Sequence, residues 1–90
     1  MVLSAMEKAL ILGEVAYSFP GEMLEKLRGI DGVSDAGFIY GPYDFYVIAE
    51  TDTKEDMWEV VSKIRGTEGV NSTMTCNVVS PSPPGSSPKE

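Results

Sequence analysis

The sequence predicts an α+β domain, a four-stranded antiparallel sheet with two helices on one of its faces. Three observations lead there. At 90 residues and 42% apolar content the chain is one small domain. A nine-residue stretch, Lys26 to Ser34 (KLRGIDGVS), recurs 37 positions later as Lys63 to Asn71 (KIRGTEGVN), with seven of nine pairs identical or chemically similar. Each copy joins a helical pattern to a strand pattern. Two copies are too few for a solenoid, so a β-α-β unit used twice is the natural reading.

The elements follow in order. Leu10 to Phe19 is apolar and partly β-branched or aromatic, and Pro20-Gly21 breaks it, which describes a strand. The first helix is expected over Gly21 to Arg28, with Met23, Leu24, Leu27 and Ile30 on one stripe. Glu22 and Glu25 come early and Lys26 and Arg28 late, matching the helix dipole. Gly29 is expected to end it in the left-handed conformation. A second strand runs from Val33 to Tyr40, Gly41-Pro42-Tyr43-Asp44 turns the chain, and a third strand runs from Tyr43 to Glu50. Thr51-Asp52-Thr53 caps the second helix; Asp52 with Glu55 and Thr53 with Asp56 both have capping-box spacing. Met57, Val60, Val61 and Ile64 form its apolar face, with Trp58 beside them and expected to pack, and Gly66 stops it. The fourth strand is Val70 to Val79. The result is a ferredoxin-like βαββαβ sandwich with strand order 4-1-3-2. Nine of the last eleven residues are Ser, Pro or Gly, so residues 80–90 read as a disordered tail on a domain of residues 1–79.

Composition narrows function. Fourteen acids against seven scattered bases give a net charge of −7, which argues against direct binding to nucleic acid phosphates. The absence of His removes the commonest general acid and metal ligand. A single cysteine, Cys76, forms neither an internal disulfide nor a zinc site; it reads as a partly buried strand residue in a reducing, cytoplasmic compartment. Glu14, Asp44 and Glu50 lack a metal-site spacing, and no cofactor is expected. The apolar stretch Ala9 to Leu12 is too short to span a bilayer, and no signal peptide precedes it.

The strands themselves imply a partner. A sheet covered on one side alternates apolar with polar residues. Here Phe45, Val47 and Ala49 point one way, yet Tyr46 and Ile48 point the other; Ile11, Val15 and Tyr17 are opposed in the same way by Leu10, Leu12 and Ala16. The helix-free face is therefore apolar too, and a two-fold pairing with a second copy is the simplest cover.

Pro20-Gly21, Leu27-Arg28 leading to Gly32-Val33, the Gly41-Pro42-Tyr43-Asp44 turn before an apolar strand, Gly69-Val70, and Thr73-x-Thr75 carry a resemblance to the RAM, or effector-binding, domain of the leucine-responsive regulator (Lrp)/AsnC family of prokaryotic regulators. It covers about Ala9 to Val79, and the Gly-x-Tyr-Asp turn is its most specific element. With only Met1 to Lys8 before it, the domain looks like a stand-alone version without a helix-turn-helix. The resemblance implies homodimers packed sheet to sheet, rings of dimers, an amino-acid effector bound between dimers, and a full-length Lrp/AsnC-type regulator as a partner. It also implies ligand-binding roles for Gly41, Tyr43, Asp44, Thr73 and Thr75.

Those residue types suit an amino acid. Asp44 can accept from the ammonium, while threonine hydroxyls and amides near Gly41 can donate to the carboxylate. Each also has a structural reading: Gly41 as a turn residue with positive φ, Asp44 as an acceptor for backbone amides, Tyr43 as an interface residue, and Thr73 and Thr75 as strand formers. Pro42 removes one amide donor from the turn. A non-enzymatic sensor is the leading expectation; an ACT-type metabolite-binding domain and a small dimeric enzyme are the alternatives.

Overall fold

A computed structural model describes residues 7–16 and 20–78. The elements are β1 (Glu7–Val15), α1 (Pro20–Arg28), β2 (Val33–Phe38), β3 (Phe45–Thr51), α2 (Lys54–Arg65) and β4 (Val70–Asn77). They form one antiparallel sheet of order β2-β3-β1-β4, the expected order read from the other edge. Tyr17, Phe19 and the tail at 80–90, assigned above to a strand and to disorder, lie outside the described residues.

The helices cover one face. Ala9 and Ile11 of β1, Phe45, Val47 and Ala49 of β3, and Ala36 of β2 are all fully buried beneath them. Met23, Leu24 and Leu27 enter from α1, and Met57, Val60, Val61 and Ile64 from α2. Burying each large side chain of this set contributes about 1.5–3 kcal/mol, which makes the periodic stripes the main drive to the fold. Thr53 resolves the ambiguous cap: its Oγ1 accepts from the Asp56 N–H at 3.0 Å. Arg28, at the end of α1, donates through Nε and Nη2 to the Ala36 carbonyl at 3.1 and 2.8 Å, fastening the helix to edge strand β2.

The repeat seen in the sequence is a repeat of contacts. In each copy the second glycine, not the first, takes the left-handed conformation: Gly32 has φ 98° and Gly69 φ 101°. This corrects the expectation for Gly29, which is not among the positive-φ glycines; its N–H closes the helix onto the Glu25 and Lys26 carbonyls. Gly32 follows α1 but abuts α2, where an added Cβ would stand 2.6 Å from Val60. Gly69 follows α2 but abuts α1, 3.3 Å from Met23. Both carbonyls accept from the neighbouring strand region, from Glu50 and Ala16 respectively. Each β-α-β unit thus closes its turn against the other unit's helix.

On the opposite face the same strands present Leu10 and Leu12, Tyr46 and Ile48, and Met74 and Cys76, matched across the sheet by register. No element of the chain lies over them among the described residues. Cys76 is exposed rather than partly buried as expected, because it stands on edge strand β4 on a face that no described element covers.

Candidate functional site

Two features stand out around β4. One is the turn between β2 and β3. The other is a groove along the flank of α2.

The turn is held by Asp44. Its N–H donates to the Gly13 carbonyl at 2.8 Å, its carbonyl accepts from Ile39 at 3.0 Å, and its Oδ2 accepts from the Val15 N–H at 2.9 Å. Val15 sits where the β1–β4 register shifts, so the carboxylate satisfies an amide at an irregular point of the ladder. The third strand starts just after Asp44, at Phe45 rather than at Tyr43. Gly41 has φ 137° with no atom within 4 Å of a Cβ position, so conformation rather than crowding requires glycine there. Tyr43 reaches β4 and points its hydroxyl at the Met74 sulfur, 3.7 Å away, on the helix-free side. Tyr40 projects fully into solvent.

The groove lies on the other side of β4. Register fixes this: Thr73, Thr75 and Asn77 stand opposite Gly13, Ile11 and Ala9, hence on the helix side. These short polar side chains do not fill the space beneath α2. A groove of about 580 Å³ is left, floored by Met57 and Val61, with Trp58 as one wall. Lys54, Arg65 and Glu7 also line it. Trp58, expected to pack, is 68% exposed, because edge strand β4 offers nothing broad enough to bury an indole. The groove has a direction. Along α2, Lys54, Trp58 and Arg65 follow at i, i+4 and i+11 on one stripe; along β4, the chain runs back past them. Arg65 also borders Thr73 in a smaller hollow that includes Val70, Asn71 and Ser72.

The sequence-predicted site residues therefore form two groups. Thr73 and Thr75 share the groove. Gly41, Tyr43 and Asp44 share the turn, and of these Tyr43 touches β4 from the opposite face. Trp58, Arg65, Lys54 and Asn77 join the groove from outside the residues that the sequence nominates for a site. The available signal was the place of Trp58 one residue off the buried stripe of Met57, Val60, Val61 and Ile64.

No protein-family model and no curated protein sequence matches the chain. Solved structures do. The chain is 34% identical to FFRP-DM1, with a TM-score of 0.75 over 81% of this chain and 99% of that one. A hypothetical protein from Pyrococcus horikoshii is also 34% identical, at TM-score 0.74, over 81% of this chain and 89% of that one. E. coli AsnC shares the fold at TM-score 0.75 and 19% identity, over 89% of this chain but 58% of AsnC. A transcriptional regulator from Neisseria meningitidis, solved as a complex with L-Met, shares it at TM-score 0.74 and 15% identity, over 89% of this chain and 57% of that one. The βαββαβ order, the turn before β3 and the identity to FFRP-DM1 converge: the chain belongs to the Lrp/AsnC, or FFRP, family and has the fold of its RAM domain.

Proposed function

We propose that this domain is a non-enzymatic sensor that binds an amino acid and couples binding to self-assembly. The observation that carries the reading is the bare sheet face. Leu10, Leu12, Tyr46, Ile48 and Met74 form one apolar surface on strands whose other side is already a complete core. Two copies packed face to face through a two-fold axis cover that surface on both. The family's described members of this fold are regulators, and one of them was solved with an amino acid.

The ligand contacts in this reading are Gly41, Tyr43, Asp44, Thr73 and Thr75. In one protomer the turn and the threonines belong to different faces of β4, so a ligand touching both groups sits between protomers. A ring of dimers provides such a boundary, with the turn of one dimer beside the threonine strand of the next. Asp44 accepts from the ligand ammonium and the threonines donate to its carboxylate. A full-length Lrp/AsnC-type regulator, pairing through the same sheet face, is a second partner in this scheme, and the compartment is the cytoplasm.

Light scattering and calorimetry test the two halves separately. A dimer mass or larger at micromolar protein, and heat on titration with at least one common amino acid, are the expected results. A clean monomer removes the assembly; no binding at millimolar ligand removes the sensing and leaves the fold untouched.

A further inference from the structure

We propose that the groove between α2 and β4 makes the sensor selective for aromatic amino acids, with Trp58 stacking the ligand ring and Arg65, beside Thr73, holding its carboxylate. The inference rests on the amino-acid reading above and goes beyond it to the ligand class.

Three observations support it. Trp58 is the chain's only tryptophan and stands 68% exposed on a groove wall, where a soluble protein gains nothing by leaving an indole in water. The groove, at about 580 Å³, has room for a ring as well as a backbone. Its charge runs against the chain's: on a protein of net charge −7, it collects Lys54 and Arg65 against Glu7 alone. An anionic group is what that surface attracts.

Helix and strand geometry set the pose. Helical side chains lean toward the N-terminus, so Arg65 points back along α2 toward Trp58, over a rise of about 10 Å that its long side chain partly spans. Thr73 and Thr75 lie on the facing strand and supply two further hydroxyl donors. A carboxylate at the Arg65–Thr73 end leaves the ligand's ring over Trp58 and Thr75. Its ammonium then faces the open side of the groove, where a neighbouring protomer's Asp44 arrives in the proposed assembly. Lys54, N-terminal to Trp58, leans the same way and so away from the ring site, which it leaves apolar.

The single tryptophan makes the test direct. Calorimetry on the full chain is run with L-phenylalanine, L-leucine and L-alanine, alongside Trp58 emission excited beyond phenylalanine absorption. Expected are binding of L-phenylalanine at least roughly tenfold tighter than of L-alanine and tighter than of L-leucine, with a change in Trp58 emission that saturates with it. Trp58→Ala should erase the preference, and Trp58→Phe should keep most of it. Arg65→Gln should weaken all three ligands by roughly tenfold. Circular dichroism of each variant checks that these surface changes leave the fold intact. Equal affinity for leucine and phenylalanine, or a preference that survives Trp58→Ala, overturns the inference while the amino-acid reading stands. Trp58 emission that follows protein concentration and ignores ligand overturns it in favour of a second copy seated in the groove. Binding of none of the three overturns it, and titration of the remaining amino acids then decides the broader reading on its own.

Discussion

Phe45 and Tyr46 are neighbours in β3, and each lays its ring over a glycine of the adjacent strand. A Cβ on Gly13 would fall 2.3 Å from the Phe45 ring, and one on Gly37 would fall 2.8 Å from the ring of Tyr46. The two pairs are built alike, on opposite faces of one sheet. Phe45 is fully buried under the helices, whereas Tyr46 is only half-buried and ends in a hydroxyl bonded to Asp35. The difference teaches how to read a strand that is apolar at every position. One face is core because the helices cover it; the other has core-like packing within the sheet and no cover among the described residues.

The largest expected effect tests the covered face. Phe45→Ala removes the largest fully buried side chain and also uncovers Gly13. A loss of about 3–5 kcal/mol is expected from such a truncation, measured by urea denaturation. For a domain of this size that is a large share of the total, and partial unfolding at room temperature would be consistent with it. A cost under about 1 kcal/mol would mean that the two faces are not as different as their burial says.

A smaller effect on folding, with a larger one on assembly, is expected from the bare face. Ile48→Lys places a charge among Leu10, Tyr46 and Leu12 without disturbing the helix side. In the native chain, stability should rise with protein concentration, because association stabilises the folded form by mass action. In the variant that dependence should vanish, the mass should fall to a monomer, and the dilute-limit stability should move by only about 0.5 kcal/mol. If the variant keeps the native mass, sheet-to-sheet packing is wrong.

What was legible in the sequence divides along the same line. The stripe Met57, Val60, Val61 and Ile64 and the twice-used unit are local patterns realised as read, while the cap, open in the sequence between Asp52 and Thr53, falls on Thr53. The left-handed residue was misplaced because each copy holds two glycines three positions apart, and only contact with the other unit's helix selects the second. Trp58 and Cys76 depart from the sequence expectation for a related reason. Their burial depends on what lies across an edge strand or over a sheet face, which no local period encodes. The face on which the candidate residues stand was not legible. Thr73 and Thr75 point under α2 only because β4 pairs with β1 in one register, and a slip of one residue would turn both outward.

The smallest expected effect is a titration, and it probes the bare face without altering it. Tyr46 Oη donates to Asp35 Oδ2 at 3.0 Å. That hydrogen bond first, then desolvation and the charge of Asp35, holds the phenol above its ordinary range, with Arg28 pulling the other way. The folded chain therefore keeps this proton at a pH where the unfolded chain has lost it. The stabilisation is fully present below pH about 10 and is lost as pH rises past that value toward the folded-state pKa. Phenolate absorbance should show one tyrosine ionising late, and Asp35→Asn, which removes the acceptor charge, should bring it down. Association adds a second term. If a partner sheet covers Tyr46, desolvation rises with assembly, so the late tyrosine should move further up with protein concentration in the native chain and stay put in Ile48→Lys. A titration that is late in the native chain yet indifferent to concentration would leave the Asp35 bond as its whole cause and place the partner's contact away from Tyr46.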